Sequence, residues 1–247
     1  MNLWFIPGLI LLGLAPIAPS KDFSAETQWK LLGSTLRILD SKRDPVATGV
    51  IVGRKWNLQE GPVKTYYVLT AFHIFREAPN RIVLLAQWFP RKIFPIARFE
   101  DFHCYIRVKD ESADLALLEF KSTEDLPVAK LAKFEDYDVR ADRERYPVLS
   151  IGCSLGKSPS CVADETLGKK LVMKSRSKEN PENYPVAFFW EARKTSVKGR
   201  SGGPLFDSSE RLIGISTAVQ GGKSYYSHLD EINSFLKKND FGWLLEK

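Results

Sequence analysis

Ser201 lies in Gly199-Arg200-Ser201-Gly202-Gly203-Pro204-Leu205, a serine held among glycines at the entry to an apolar run. Glycine lacks the Cβ that closes off unusual backbone angles, so such a run can turn tightly and aim successive N–H groups at one point. That arrangement suits the binding of an oxyanion. A serine hydroxyl is a weak nucleophile at neutral pH; it needs a base to take its proton and a carboxylate to hold that base. The chain offers three histidines, His73, His103 and His228. His73 ends the run Tyr67-Val68-Leu69-Thr70-Ala71-Phe72, where rigid strand backbone would place its ring. His103 starts another apolar run and His228 precedes a helical pattern, and both also suit structural or exposed positions. Asp114 sits in Ser112-Ala113-Asp114-Leu115-Ala116-Leu117-Leu118, pressed against a hydrophobic run where an unpartnered charge is costly. Singly these are a glycine turn, a core histidine and a strand-end aspartate. Jointly they hold the parts for nucleophilic acyl transfer.

Elements that could position such residues recur along the chain. Short runs rich in β-branched and aromatic residues, separated by turn formers, fall at Thr35–Leu39, Thr48–Val52, Tyr66–Thr70, Arg81–Gln87, Phe94–Phe99 and Cys104–Val108. Others follow at Leu115–Phe120, Val148–Ile151, Lys170–Met173, Val186–Glu191, Leu205–Phe206 and Leu212–Ala218. This pattern reads as an all-β barrel or sandwich and excludes an alternating strand–helix plan. One helix is expected, over Leu229–Lys238, where Leu229, Ile232, Phe235 and Leu236 share a face and Lys237 and Lys238 suit the carboxyl end. A polar connection from Pro127 to Tyr146 and a polar loop from Ser175 to Pro185 read as surface segments.

The formal charge of +6 arises from 36 basic and 30 acidic residues interspersed along the chain. So mixed a field gives no specific case for nucleic-acid binding. The densest basic run, Lys174, Arg176 and Lys178, reads as a solvated loop. Residues 2–20 carry no charge and include the apolar stretch Leu3–Leu14, the length of a signal-peptide core and short for a membrane span. Ala18 and Ser20 are the small residues wanted before a cut at Lys21, although no Lys or Arg follows Met1. Export to a secreted or periplasmic location is therefore expected, with an uncleaved anchor as the competing reading; cleavage would leave no stable membrane span.

Three cysteines exclude a dense disulfide framework. Cys153 and Cys161 flank a loop that could turn back on itself, and a bridge there would stabilise an exported protein by about 2–3 kcal/mol. Cys104 reads as a small core residue. No Cys/His spacing resembles a zinc site, and neither a metal nor an organic cofactor is implied.

Thr70-Ala71-Phe72-His73, Ala113 to Leu118 and Gly199 to Leu205 together resemble the three motifs of trypsin-like serine proteases, in the family's order of His, Asp and Ser. Serine hydrolases built on an α/β sheet run in another order. Val148-Leu149-Ser150-Ile151-Gly152 resembles the start of that family's second barrel. Leu212-Ile213-Gly214-Ile215-Ser216-Thr217-Ala218 resembles the strand along which substrates lie, in the manner of the bacterial secreted and high-temperature-requirement branch. The chain ends at Lys247, so no PDZ domain is expected to follow. The resemblance implies two six-stranded antiparallel Greek-key barrels packed side by side with a C-terminal helix. It divides the chain into a signal peptide at 1–20 and a peptidase domain at 21–247. Within the domain it implies a first barrel over about 33–125, a crossover over about 126–146, a second barrel over about 147–228 and the helix over about 229–238.

The same resemblance implies Ser201 as nucleophile, His73 as general acid and base, Asp114 as its orienting partner, and Gly199 and Ser201 N–H groups as the oxyanion hole. It implies polypeptide substrates, with Thr195 at the floor of the primary pocket and Thr217, Ala218 and Val219 offering an edge for a peptide backbone. A neutral floor argues against Lys or Arg at the cut site. Small or apolar residues are expected there, and acidic ones are the second option because Lys194, Lys198 and Arg200 are close in sequence. Two positions depart from the family. Phe72 replaces a small residue, and Arg200 stands where digestive members place an aspartate that pairs with a freshly cut amino terminus. No zymogen cut is therefore expected. A competing reading is a protease-fold binding or scaffolding protein with an impaired triad. Oligomeric state is not legible.

Overall fold

The computed structural model describes residues 23–56, 61–75, 83–90, 100–133, 145–173 and 186–246. The expected signal segment, the strand at Phe94–Phe99, the Lys174–Lys178 run, the Ser175–Pro185 loop and much of the crossover lie outside the described residues. The chain first forms α1 (Ala25–Leu32), then β1 (Thr35–Leu39), β2 (Pro45–Trp56), β3 (Lys64–Ala71), β4 (Val83–Trp88), β5 (Glu100–Asp110) and β6 (Leu115–Ser122). β7 (Lys130–Leu131), β8 (Tyr146–Gly152), β9 (Ser160–Met173), β10 (Val186–Ala192), β11 (Pro204–Asp207), β12 (Arg211–Gln220) and β13 (Lys223–His228) follow, and α2 (Leu229–Lys238) comes after them.

Two antiparallel barrels result. The first closes in the order β1-β2-β3-β6-β5-β4, and the second runs β11-β8-β9-β10-β13-β12 with β11 paired back to β12. The two-residue β7 joins the edge of β12 in parallel, an addition too short to show in sequence. The helix at Leu229–Lys238 has the expected bounds, with His228 accepting the Asp230 N–H at its N-cap. The helix α1 is a correction, because none was expected there. It buries only Gln28 and Leu31 and leaves Trp29 exposed, so it shows little apolar periodicity, and its start is fixed by Ser24 Oγ accepting the Thr27 N–H at 3.1 Å.

Alternate residues of β3 and β6 face two different cores. Tyr66, Val68, Ala116, Leu118 and Phe120 fill the first barrel. Tyr67, Leu69, Leu115 and Leu117 point the other way and pack with Leu149, Ile151, Phe206 and Ile215 of the second barrel and with Ile232, Phe235 and Leu236 of α2. Burial on both faces is why these strands read as continuous apolar runs rather than as alternation. It also holds the barrels together along the line where the candidate catalytic residues meet.

The possible bridge between Cys153 and Cys161 is not formed, and all three cysteines are free thiols. Cys153 Sγ faces the Leu36 carbonyl of β1, whereas Cys161 Sγ faces the Gln28 carbonyl of α1. Burial pushes both thiols up to about 12.

Candidate active site

β3 and β6 are antiparallel, with Ala71 opposite Leu115, so the residues just past one strand and just before the other share one end of the barrel. His73 follows β3 in a single 3-10 turn, Phe72–Phe75, and Asp114 precedes β6. The Phe72 N–H donates to the Asp114 carbonyl at 3.1 Å, and the His73 N–H donates to Asp114 Oδ1 at 2.8 Å. Asp114 Oδ2 lies 2.8 Å from His73 Nδ1. Asp114 is buried and has φ of 54°, a left-handed conformation that costs energy in a non-glycine residue and is held here by its neighbours. Ser227 of β13 donates its hydroxyl to the Ala113 carbonyl, so the second barrel also braces this turn.

On the other side of the imidazole, His73 Nε2 lies 3.0 Å from Ser201 Oγ. An ionised carboxylate only accepts hydrogen bonds, so with Asp114 ionised the ring carries its proton on Nδ1 and turns the Nε2 lone pair to the hydroxyl. Phe72 does not disturb this arrangement: its ring is half-buried, with the Lys109 ammonium 5.7 Å from its centroid. His103 lies exposed on β5, and His228 is buried at the start of α2 against Trp190, so neither enters the site.

Every carbonyl from Lys198 to Ser201 is held by a donor. Lys198 O accepts the Leu155 N–H at 2.8 Å, Gly199 O accepts Thr48 Oγ1 at 2.7 Å, Arg200 O accepts the Gly203 N–H at 2.9 Å, and Ser201 O accepts the Thr48 N–H at 2.8 Å. In a trans peptide the C=O and the next N–H point in opposite directions. The Gly199 N–H therefore faces away from Leu155. Among the described residues neither the Gly199 nor the Ser201 N–H has an acceptor. Gly199 has φ of 92°, and a Cβ there would collide with the Cys153 carbonyl, so only glycine suits the position. Thr48, fully buried on β2, is a site residue that sequence reading missed. It binds the glycine-rich loop at both Gly199 and Ser201, and its Oγ1 also accepts the Cys153 N–H at 2.9 Å. Only the packing of one barrel on the other brings it there.

Beside Ser201 a cleft of about 290 Å³ is lined by Ser196, Val197, Lys198, Ser216, Thr217, Ala218 and Val219. Thr195 lies just outside this lining, exposed, with its hydroxyl donating to the Gly222 carbonyl. The wall is braced by Ser224, which is buried, accepts the Ser196 N–H at 2.6 Å and donates to the Lys194 carbonyl at 2.6 Å. Asp164 accepts the Lys194 N–H behind it; burial pushes its carboxyl above the usual range although the N–H groups of Glu165 and Lys194 oppose the shift. A larger cleft, about 600 Å³, lies between β2 and residues 125–131, and no triad residue lines it. Among the described residues no three His, Cys, Asp or Glu side chains converge as a metal site.

The family model of the trypsin-like peptidase domain matches residues 47–215. The chain belongs to the trypsin-like peptidase family. Solved structures agree on the fold. The inactive form of the Rv3671c protease, from M. tuberculosis H37Rv, superposes with a TM-score of 0.63 at 16% identity over 86% of this chain and 91% of that one. The HtrA-type protease AlgW, solved as an S227A variant with a tripeptide, gives 0.60 at 16% identity over 87% of this chain and 62% of that one. The MamO protease domain from Magnetospirillum magneticum gives 0.60 at 17% identity over 83% and 96%. No curated protein sequence matches the chain. The fold and the family place this peptidase among serine protease-type enzymes.

Proposed function

We propose that this peptidase is an exported serine endopeptidase that cleaves peptide bonds through an acyl-enzyme. The supporting observation is the unbroken line from Asp114 through His73 to Ser201 Oγ, with contacts of 2.8 and 3.0 Å. Ser201 Oγ attacks the substrate carbonyl carbon while His73 Nε2 takes the hydroxyl proton. The carbonyl oxygen becomes an oxyanion that accepts from the Gly199 and Ser201 N–H groups. Loss of one such donor costs about 3–4 kcal/mol of barrier. The C–N bond then breaks, and the amine leaves with the proton held by His73. Water, deprotonated by the same nitrogen, attacks the acyl-enzyme and releases the acid.

The edge of β12 at Thr217–Val219 supplies backbone groups for an extended substrate, since β13 pairs with this strand from the other side. No carboxylate lines the cleft, so a Lys or Arg side chain would enter without a counter-ion. Small uncharged side chains suit the hydroxyls of Ser196, Ser216 and Thr217. Export rests on residues 2–20, and a cut before Lys21 leaves Ser24 in place to cap α1. Incubation of the chain beginning at Lys21 with a peptide library tests the proposal. Cleavage after small uncharged residues, abolished in Ser201→Ala, is expected; cleavage confined to Lys and Arg sites would refute the specificity, and none at all would refute the activity.

A further inference from the structure

Arg200 is 3% exposed although it adjoins the nucleophile and carries a permanent charge. Its guanidinium turns away from the cleft. Nη1 donates to the Gly152 carbonyl at 3.3 Å, to Ser154 Oγ at 3.1 Å and to the Ser160 carbonyl at 3.2 Å, and Nη2 donates to Ser150 Oγ at 3.0 Å. Among the described residues no carboxylate lies within ion-pair distance of it. Burial lowers its pKa, opposed only by Tyr226 and two thiols. Room for its stem exists because residue 152 is glycine: a Cβ there would lie 3.0 Å from both Arg200 Cβ and Cγ. A buried, uncompensated cation is costly, and here it is satisfied wholly by neutral acceptors.

Those acceptors surround one strained turn. Leu155, within the 3-10 turn Ser154–Gly156, has φ of 54° and ψ of 31°, a left-handed conformation that leucine avoids. Such a conformation persists only where the surroundings over-determine it. Arg200 Nη1 grips the chain on both sides of the strain, at Gly152 and Ser154 before it and at Ser160 after it. The N–H that the turn presents is that of Leu155, which holds the Lys198 carbonyl and so sets the direction of the Gly199 N–H.

We propose that Arg200 is a positioning residue: by bracing the 152–155 turn it keeps the Lys198–Gly199 peptide oriented with its N–H toward the oxyanion, in place of a newly cut amino terminus. The inference rests on the proposed peptidase activity. The brace is formed by residues 150–200 themselves and needs no freshly cut terminus.

The test is the rate of labelling by a fluorophosphonate, whose phosphoryl oxygen must enter the oxyanion hole. It uses the chain beginning at Lys21, at a temperature where melting curves show each variant folded. Arg200→Met should slow labelling by at least about 100-fold. Arg200→Lys, which keeps the charge and can reach some of the acceptors, should restore part of the rate. On the best library peptide the loss should fall on kcat, with KM changed less than about threefold. A merely structural role would lower the melting temperature and leave the labelling rate of the folded protein unchanged, and that result would overturn the proposal. If Arg200→Met does not fold, the Ser150→Ala/Ser154→Ala pair removes two acceptors and should slow labelling about tenfold; an unchanged rate would overturn the proposal equally. Wild type that fails to label at all contradicts the peptidase reading itself, which separates the two failures.

Discussion

Asp114 restrains His73 twice, through the ring nitrogen and through the backbone N–H, so the carboxylate fixes both the tautomer and the position of the ring. Replacing it by Asn keeps the shape but offers an amide that can hold the wrong tautomer. Asp114→Asn should lower turnover about 10⁴-fold with little change in melting temperature; a loss below tenfold would show that the carboxylate is not the orienting group. Residues of this kind were legible because their chemistry is local: a serine among glycines, a histidine at a strand end, an acid against apolar neighbours. Thr48, Leu155 and Ser224 were not. Threonine in a strand, leucine in a loop and serine in a hairpin are ordinary, and their roles arise only when distant segments meet. Arg200 was legible as a departure from the family, but the partners that make it a brace were not.

Strands with both faces buried carry His73 and Asp114, and the elements packed on them share the load. α2 covers the junction of the barrels with Ile232, Phe235 and Leu236. Lys238 at its end forms an ion pair with Asp110, whose Oδ1 accepts the Ala113 N–H beside Asp114. Burial works to raise the Asp110 carboxyl, and Lys238 with the neighbouring N–H groups outweighs it, so the group lies below its ordinary range. Phe235→Ala should destabilise the fold by about 3–5 kcal/mol in urea titration without slowing fluorophosphonate labelling of the folded protein. A loss under 1 kcal/mol would show, at about the size of a surface change, that the helix is not structural cement. Period and β-branching made α2 and most strands readable. α1 escaped because its burial is slight, and most of β9 escaped because Asp164, Glu165 and Gly168 look like turn formers while pairing in register with β8 and β10.

Across the whole molecule, stability should depend on alkaline pH through thiols that the catalytic chemistry does not use. Burial holds Cys153 near 12 against an ordinary value of 9.0, and it raises Cys104 as well. Above pH 9 the unfolded chain releases protons that the folded chain keeps, so stability falls as pH rises, by about 1.4 kcal/mol per unit for each such thiol. Urea midpoints between pH 8 and 10.5 should therefore decline more steeply for wild type than for Cys104→Ala/Cys153→Ala; parallel declines would contradict the assignment. The two-barrel architecture, both barrels included, followed from the motifs and their order, while the free state of Cys153 and Cys161 needed the fold. On the proposed reading, one preformed site, complete without a further cut, lets Ser201 take up the acyl group. The most direct measurement is peptide mapping of the fluorophosphonate adduct on the chain beginning at Lys21. A single adduct on Ser201, lost in Ser201→Ala and suppressed in His73→Ala, is the predicted result; a folded wild type that carries no adduct, or labels only after cleavage downstream of Lys21, would contradict it.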